Sequence, residues 1–269
     1  ISADGTKKYL YRTSQNHFIE SAYIPDGDRA TLCISSQAGC RMGCKFCAST
    51  VKGLARNLTA GEMVSQIMAA QEDTGEKIGH IVVMGSGEPF DNYENLSKFL
   101  RIVNEPKGLD IGMRNITVST CGIVPMILRF AEDFNQVNLA ISLHASSDED
   151  RSAIMPINNR YDIKEVLSAC DEYTKKTKRR ITYEYTLVSG VNDSVQSAKR
   201  LAGMLKGKLC HVNLIPLNEV KDSGFVTVSK SKAFEFQKAL EEAGIPATIR
   251  RELGDDIDAA CGQLRLNNE

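Results

Sequence analysis

The alternation of short β-rich runs with longer amphipathic runs is the feature that most constrains the fold of this chain. Six runs from residue 30 onward have the composition of strands: ATLCIS, HIVVMGS, NITVST, VNLAISLH, ITYEYTLV and CHVNLIPL. Five runs between them carry apolar residues at three- and four-residue spacing, as helices do: GEMVSQIMAAQED, YENLSKFLRIV, IVPMILRFAED, IKEVLSACDEYTKK and VQSAKRLAGMLK. This order is typical of βαβ units and a parallel sheet.

The predicted fold class is α/β, a partial (β/α)6 barrel with an N-terminal β-hairpin extension. The hairpin is predicted from two runs, KKYLYR and FIESAYI, which flank the polar residues 13–16. We expect residues 1–28 to form this extension and residues 29–269 to form the barrel, in which the carboxyl ends of the strands carry the chemistry. Thr59 and Asp193 are predicted N-caps of the helices that follow them. A doubly wound open sheet is the alternative architecture.

Composition excludes some classes of function without identifying one. No apolar run approaches the roughly 20 residues that cross a bilayer, so a membrane role is not expected. The net charge of −1 gives no global support for nucleic-acid binding, which then depends on local basic patches. The eight cysteines are unevenly placed in a chain larger than a disulfide-stapled domain, which favours a reducing, cytoplasmic location.

Three cysteines, Cys40, Cys44 and Cys47, form a C-x3-C-x2-C triplet just after the first predicted strand. Thiolate sulfur suits iron–sulfur clusters and zinc, and a loop lets the three ligands converge. We favour a [4Fe–4S] cluster, whose fourth iron would stay open to another molecule, because zinc sites usually split their ligands into two separated pairs. The alternatives are a structural zinc site completed by a histidine and the packing of small buried residues.

Polar residues gather where the carboxyl ends of the predicted strands should form a ligand-binding edge. A glycine and a glutamate follow the second strand, and a carboxylate suits a cationic amine. The candidate binding residues are Gly87, Glu88, Ser119, Ser142, Leu143, His144 and Asn218. Taken singly, such residues more often end strands or cap helices, and Glu88 would then lie solvated in a glycine-rich turn. A general base or a zinc ligand is the alternative role of His144.

The triplet, with the aromatic Phe46 before its last cysteine, resembles that of the radical S-adenosylmethionine (SAM) superfamily, whose fold is a partial (β/α)6 barrel. The stretch GSGEP looks like the superfamily motif that contacts the methionine amino group. The resemblance implies that SAM chelates the open iron and that one electron from the cluster cleaves it to a 5′-deoxyadenosyl radical. The implied cofactors are therefore a [4Fe–4S] cluster and SAM.

Longer motifs resemble one family within that superfamily, the RlmN-type dual-specificity RNA methyltransferases and their relative Cfr. The matching stretches are IESAYIPDGDRATLCISSQAGC, GEPFDNYENL, ITVSTCGIVP, LAISLHA, MPINNRY, GVND, HVNLIPLN and GDDIDAACGQL. The sequence GEPFDN favours the RlmN branch. The small N-terminal helical domain that the family usually carries is not expected in this chain. The resemblance implies two substrates: 23S ribosomal RNA, in its peptidyl transferase region, and transfer RNA, at the adenosine 3′ of the anticodon.

The resemblance also implies roles for three residues. Cys261 corresponds to the cysteine that one SAM methylates; a second SAM yields the radical that removes hydrogen from this methyl group. The methylene carbon then attacks carbon 2 of adenine, which is not nucleophilic, and forms a covalent protein–RNA intermediate. Cys33 corresponds to the cysteine that releases the product by forming a disulfide with Cys261, and Glu20 to the base that removes the adenine proton. From the residues alone, Cys33 is a core strand residue and Glu20 an exposed strand glutamate.

RNA binding would use local basic clusters, because phosphate contacts need positive charge. The candidates are Lys175, Lys176, Lys178, Arg179 and Arg180, then Arg41, Lys45, Lys52 and Arg56 around the triplet, and Arg250 with Arg251. Solvated helix ends and rims are the alternative interpretation. The family implies a flavodoxin-type electron donor, and a monomer is favoured. Cys121, Cys170 and Cys210 are interpreted as small buried residues.

The function that we expect from the sequence is methylation of adenosine at carbon 2. Three alternatives stay open: another radical SAM enzyme such as an activase or a sulfur-inserting enzyme, a Cfr-like carbon-8 methyltransferase, and a zinc-stabilised RNA-binding module. The first would not need Cys33 and Cys261, and the last would hold zinc in place of iron.

Overall fold

The computed structural model describes residues 1–27, 30–218, 224–251, 253–259 and 262–264. The chain forms two compact units. The first comprises Ile1–Gly43, Cys47–Ser119 and the described part of Glu252–Glu269, and the second comprises Cys44–Phe46 and Thr120–Arg251. Each unit combines parallel strands with helices, as the predicted α/β class requires.

Antiparallel strands begin the sheet of the first unit, and parallel strands continue it. The elements in chain order are β1 (Lys7–Arg12), β2 (Phe18–Ile24), β3 (Thr31–Cys33), β4 (Gln37–Gly39), β5 (Leu54–Asn57), α1 (Ala60–Thr74), β6 (His80–Val83), α2 (Tyr93–Val103) and β7 (Ile116–Thr120). β1 pairs antiparallel with β2 and β2 with β3, whereas the β3–β6 and β6–β7 pairs are parallel. The predicted hairpin is therefore confirmed, and it extends the parallel sheet rather than standing apart from it.

Parallel strands alternate with helices throughout the second unit. Its elements are α3 (Val124–Asp133), β8 (Asn138–Ser142), α4 (Asp148–Ile154), α5 (Ile163–Thr177), β9 (Ile181–Leu187), α6 (Val195–Leu205), β10 (Cys210–Pro216), α7 (Lys230–Glu242) and β11 (Ala247–Ile249). The β8–β9, β9–β10 and β10–β11 pairs are all parallel. This repetition places the start of each following loop at the carboxyl end of a strand.

All of the predicted strands and helices are present, and one predicted cap is wrong. Thr59 caps α1, as expected. The cap of α6 is Ser194, whose side chain accepts from the Ser197 N–H, and not Asp193. The Asp193 carboxylate instead forms an ion pair with Lys232 at 2.7 Å and accepts from the Gly190 N–H, so it stabilises the preceding turn.

Aromatic side chains hold helices of the second unit together. Phe130 on α3 and Tyr173 on α5 are fully buried, and their ring centroids lie 6.5 Å apart with nearly parallel planes. The Tyr173 hydroxyl donates to the Val137 carbonyl at 2.9 Å, which satisfies its polar end. Burying one such side chain is worth about 1.5–3 kcal/mol. No helix within the described ranges has both the length and the apolar character to cross a membrane.

The start of α1 is stabilised by a capping box and an ion pair that share one carboxylate. Thr59 and Glu62 each accept from the other's backbone N–H, which satisfies two donors at the helix start. Arg56 on β5 donates to both Glu62 oxygens, at 2.9 and 2.5 Å. The hydrogen bonds from Arg56 are the main cause that lowers the pKa of Glu62 from its ordinary 4.5 to about 2.

This pKa predicts a loss of stability in acid. Because the folded-state pKa of Glu62 lies below the unfolded value, its stabilisation is present above pH 4.5 and is lost as the pH falls towards 2. The Glu62→Gln variant should therefore show a smaller drop in unfolding temperature between neutral pH and about pH 3 than the parent protein. The control is Glu72→Gln, at an exposed position of the same helix. An equal drop in both variants would contradict the prediction.

Candidate active site

Cys40, the first cysteine of the triplet, lies at the start of a loop whose two ends are joined by a short two-stranded ribbon. β4 and β5 pair antiparallel, and the Cys40 N–H donates to the Gly53 carbonyl at 3.0 Å. Gly39 lies at the corner with a φ of 76°, and a Cβ atom there would lie 2.0 Å from the Gly53 oxygen. Only glycine fits this close approach. The ribbon thereby fixes both ends of the loop that carries the thiols.

The Cys40 thiol is suited to a metal and poorly suited to be a bare thiolate. Burial raises its pKa to about 12, and the nearby carboxylates of Glu88 and Asp91 act in the same direction. A cation bound to the sulfur would reverse this balance. The donor set, three cysteines within eight residues beside the apolar Phe46, fits an iron–sulfur cluster.

A buried amide network joins the triplet loop to the turn after β6. Gln37 accepts from the Glu88 N–H at 2.8 Å and donates to Asp91 at 2.9 Å. Arg41, next to Cys40, donates to the same Asp91 carboxylate at 2.9 Å. Gly87 has a φ of 107°, and a Cβ atom there would lie 2.6 Å from the Gln37 Cβ. The sequence GEPFDN thus contains a packing glycine and an aspartate that anchors the triplet loop.

Glu88 is buried, so its interpretation as a solvated turn residue is wrong. The side chain is 4% exposed and accepts from the Phe90 N–H at 3.0 Å, which caps the short helix that follows. Ser119 lies half-buried at the carboxyl end of β7 in the same unit. Both residues therefore occupy the strand-end positions that the sequence predicts.

The second unit contains the remaining candidate binding residues, again at strand ends. Ser142 ends β8, and the N–H groups of Leu143 and His144 both donate to the Glu184 carbonyl, at 3.0 and 3.2 Å. Asn218 lies half-buried just beyond β10. These contacts extend the β8–β9 pairing past the end of β8.

His144 is a buried, neutral imidazole. Its Nδ1 accepts from the Thr186 N–H at 2.9 Å, and the Phe46 ring packs edge-on against it at 4.9 Å. Burial lowers the pKa of His144 to about 3. A base with this pKa is too weak for proton abstraction near neutral pH, so the general-base alternative gains no support. The occupied Nδ1 leaves Nε2–H as a donor.

Sequence reasoning missed the residue that holds the β8 loop in place. Arg151 on α4 is fully buried, and its guanidinium donates to five oxygens. The acceptors are the carbonyls of Cys121, Ser142, Leu143 and Tyr161 and the side chain of Asn158. Arg151 thereby ties the loop after β7 to the end of β8.

Glu184 is a second residue that sequence reasoning missed, although the sequence contains a signal for it. It interrupts the otherwise β-rich run ITYEYTLV, and it is 4% exposed. Register places Glu184 in one row with Ser142 and Asn213, and Asn213 donates to its Oε1 at 3.3 Å. Burial raises the pKa of Glu184. Its Oε2 has no hydrogen-bond partner among the described residues.

In the first unit, Glu20 and Cys33 share one face of the sheet. Ala22 lies directly opposite Cys33, and side chains two apart on a strand point the same way, so Glu20 is on that face too. Glu20 is 6% exposed and forms an ion pair with Lys8 at 3.0 Å, so its interpretation as an exposed strand glutamate is wrong. Ala259 packs against Ala22 and Cys33.

The C-terminal segment returns to the triplet loop. The Ala48 N–H donates to the Gly262 carbonyl at 2.8 Å, and the Ser49 hydroxyl donates to the Leu264 carbonyl at 3.0 Å. Ala48 and Ser49 directly follow Cys47. Cys261 itself lies outside the described residues, so its predicted role and its predicted disulfide with Cys33 stay predictions.

A cavity in the first unit opens beside Glu20. Its walls include Phe18, Glu20, Ser49, Lys52, Ser86 and Leu264. The cavity is small, with a volume of about 30 Å³, and an aromatic ring, two hydroxyls and a carboxylate surround it. The predicted base and the C-terminal segment therefore line the same cavity.

Some side chains of the basic clusters already bind polar groups within the protein. Lys176 forms an ion pair with Glu132, and Arg179 donates to Asn138. Around the triplet, Arg41 and Arg56 bind carboxylates, as described above.

Three further cysteines are all buried, as predicted: Cys121, Cys170 and Cys210. Burial raises the pKa of Cys170 to about 12.

Comparisons with known proteins agree with these features. Residues 34–202 match the model of the radical SAM superfamily. The chain is 55% identical over 264 residues to a probable dual-specificity RNA methyltransferase RlmN of Clostridium perfringens strain SM101, covering 98% of this chain and 76% of the relative. The corresponding protein of Clostridioides difficile strain 630 is 52% identical over 262 residues, covering 97% and 76%.

A solved structure gives the same result for the fold. The crystal structure of a radical SAM methyltransferase from Sphaerobacter thermophilus matches with a TM-score of 0.96 and 49% identity, covering 98% of this chain and 79% of that one. This match confirms the predicted radical SAM α/β fold.

Proposed function

Because the chain belongs to the family of RlmN-type dual-specificity RNA methyltransferases, within the radical SAM superfamily, we propose that it methylates carbon 2 of adenosine. The observation that carries this proposal is the shared face of Glu20 and Cys33, against which Ala259 packs two residues before Cys261. A radical SAM enzyme that acts without a carrier cysteine would not need Cys33 or Cys261.

The cofactors that the family implies have matching residues in this chain. Cys40, Cys44 and Cys47 would hold a [4Fe–4S] cluster. The residues proposed to hold SAM are Gly87, Glu88, Ser119, Ser142, Leu143, His144 and Asn218. When bound, the two cofactors supply a 5′-deoxyadenosyl radical. The buried Glu88 carboxylate suits the cationic amine of SAM, and the Nε2–H of His144 is a donor for its polar edges.

Three residues of the chain would carry out the transfer. Cys261 carries the methyl carbon and, after hydrogen loss, joins it to carbon 2 of adenine. Glu20 removes the proton from carbon 2, a step that needs a carboxylate within hydrogen-bond reach of the base, and the bound cluster would take up the one electron that this step leaves over. The Cys33 thiolate then attacks the Cys261 sulfur: an S–S bond forms, the S–CH2 bond breaks, and the released CH2 carbon takes up a proton to become the methyl group of the product.

We further propose that the substrates are 23S ribosomal RNA, in its peptidyl transferase region, and transfer RNA, at the adenosine 3′ of the anticodon. The target base would leave its stack to reach Glu20, and the basic clusters would contact phosphates. A flavodoxin-type protein would donate electrons, and the enzyme would act as a monomer in the reducing cytoplasm, where free thiols persist.

Peptide mass analysis of Cys261 tests this proposal. After anaerobic reconstitution with iron, sulfide and SAM, the Cys261 peptide should gain the mass of one CH2 group, whereas the Cys170 peptide should not. Incubation with reductant and ribosomal RNA should then yield 2-methyladenosine, and the Cys261→Ala variant should yield none.

Each alternative function predicts a different result. An activase or a sulfur-inserting enzyme would leave Cys261 unmodified, and a Cfr-like enzyme would yield 8-methyladenosine. Zinc in the purified protein, with no brown chromophore after anaerobic purification, would indicate a zinc-stabilised module. Methylation activity retained by Cys261→Ala would contradict the proposed mechanism.

A further inference from the structure

We propose that Lys8 is a positioning residue that keeps the Glu20 carboxylate ionised and aimed for proton removal. The inference rests on the proposed role of Glu20 as the base. Lys8 would not touch the adenine; it would act through its ion pair with Glu20 across the hairpin.

The geometry that supports this role is a buried diagonal pair. Lys8 Nζ lies 3.0 Å from Glu20 Oε1, and the two side chains are only 17% and 7% exposed. On the hairpin, Lys8 lies opposite Ala22, and Glu20 lies opposite Leu10. Lys8 and Glu20 are therefore diagonal neighbours on one face, offset by two residues along the strands. Long side chains in such diagonal positions reach each other.

Lys8 also belongs to the row that contains Cys33. Ala22 lies between Lys8 on one side and Cys33 on the other. The ammonium therefore faces the same part of the sheet as the base and the proposed resolving cysteine, and not the outer surface of the hairpin.

Burial gives the ion pair a chemical consequence. A buried carboxylate favours its protonated form, whereas a cation within about 4–6 Å favours the ionised form. Among the residues that the structure describes, the titratable or charged groups that face Glu20 include Lys8 from β1, the Cys33 thiol from β3 and Lys52 from the cavity wall. Lys52 is exposed, so water screens its charge far more than that of Lys8.

The backbone of Glu20 is fixed separately from its side chain. The Ser35 hydroxyl donates to the Glu20 carbonyl at 2.6 Å and accepts from the Ser86 N–H at 2.9 Å. Ser86 directly precedes Gly87 in the proposed SAM-binding turn. The strand position of Glu20 therefore does not depend on Lys8, and loss of Lys8 should affect mainly the charge and direction of the carboxylate.

The test compares the pH dependence of single-turnover methylation in four variants. In Lys8→Met, the acid limb of the pH profile should move up by about one to three pH units. Lys8→Arg should restore the limb to near its original position, because it retains the charge. Lys7→Met is the matched control, since Lys7 points to the opposite face of β1 and pairs with Asp73 at 2.8 Å. Glu20→Gln should abolish methylation.

A second measurement does not depend on turnover. Carbon-13 NMR of the Glu20 carboxyl group in the cluster-free protein should show the same upward shift of its titration in Lys8→Met and none in Lys7→Met. An unchanged titration and an unchanged acid limb in Lys8→Met, with Glu20→Gln inactive, would overturn the role of Lys8 alone. Full activity of Glu20→Gln would instead overturn the proposed role of Glu20.

Discussion

The Arg151→Met variant is expected to lose about 3–5 kcal/mol of unfolding free energy, the largest stability effect that we predict for a single side chain of the second unit. The guanidinium donates to four backbone carbonyls and to Asn158, at distances from 2.7 to 3.3 Å. Methionine has a similar length but no donor, so these buried acceptors would lose their partners. Each unsatisfied acceptor costs about 1–3 kcal/mol, reduced where water enters.

Denaturant unfolding of the parent protein and its variants measures this loss. Arg160→Met is the control: Arg160 is exposed and lies 5.3 Å from the Tyr161 ring, a contact worth about 0.5–1 kcal/mol. Arg151→Lys should fall between the two, because lysine keeps the charge but cannot reproduce the planar fork. Equal stability of Arg151→Met and Arg160→Met would show that the buried network contributes little.

Local patterns in the sequence are sufficient to predict the repeated strands and helices. Runs such as HIVVMGS and YENLSKFLRIV have a clear period because one side of each element is buried in a regular core. The ribbon of β4 (QAG) and β5 (LARN) was missed because both strands are short and neither contains a β-branched or aromatic residue. Its pairing comes from the need to close the triplet loop, which is a tertiary constraint.

Part of the candidate site could also be predicted from local patterns in the sequence, whereas another part depends on tertiary structure. The triplet and Glu88 follow strands in the chain, so their positions at strand ends could be predicted from the sequence. The shared face of Glu20 and Cys33 depends on the register of the β2–β3 pair, which no local pattern gives. Only the family resemblance pointed to these two residues. Arg151 is harder still, because a lone arginine in a short helix looks like a surface residue until its acceptors are known.

The Cys33→Ala variant is expected to lose multiple turnover and to accumulate a covalent protein–RNA adduct. The proposed release step needs a second thiolate to attack the Cys261 sulfur, and alanine cannot supply one. The earlier steps do not use Cys33, so the bond between Cys261 and the RNA should still form. Alanine also fits among Ala22 and Ala259, so the fold should tolerate the change at a cost of about 1 kcal/mol.

Denaturing gel electrophoresis with labelled RNA detects this adduct. Cys210→Ala is the matched control, because Cys210 is also a buried strand cysteine at 5% exposure but lies in the second unit, and it should turn over without an adduct. The double variant Cys33→Ala with Cys261→Ala should form no adduct, since the carbon carrier is then missing. Multiple turnover by Cys33→Ala would mean that release does not use this thiol, and the shared face of Glu20 and Cys33 would then need another explanation.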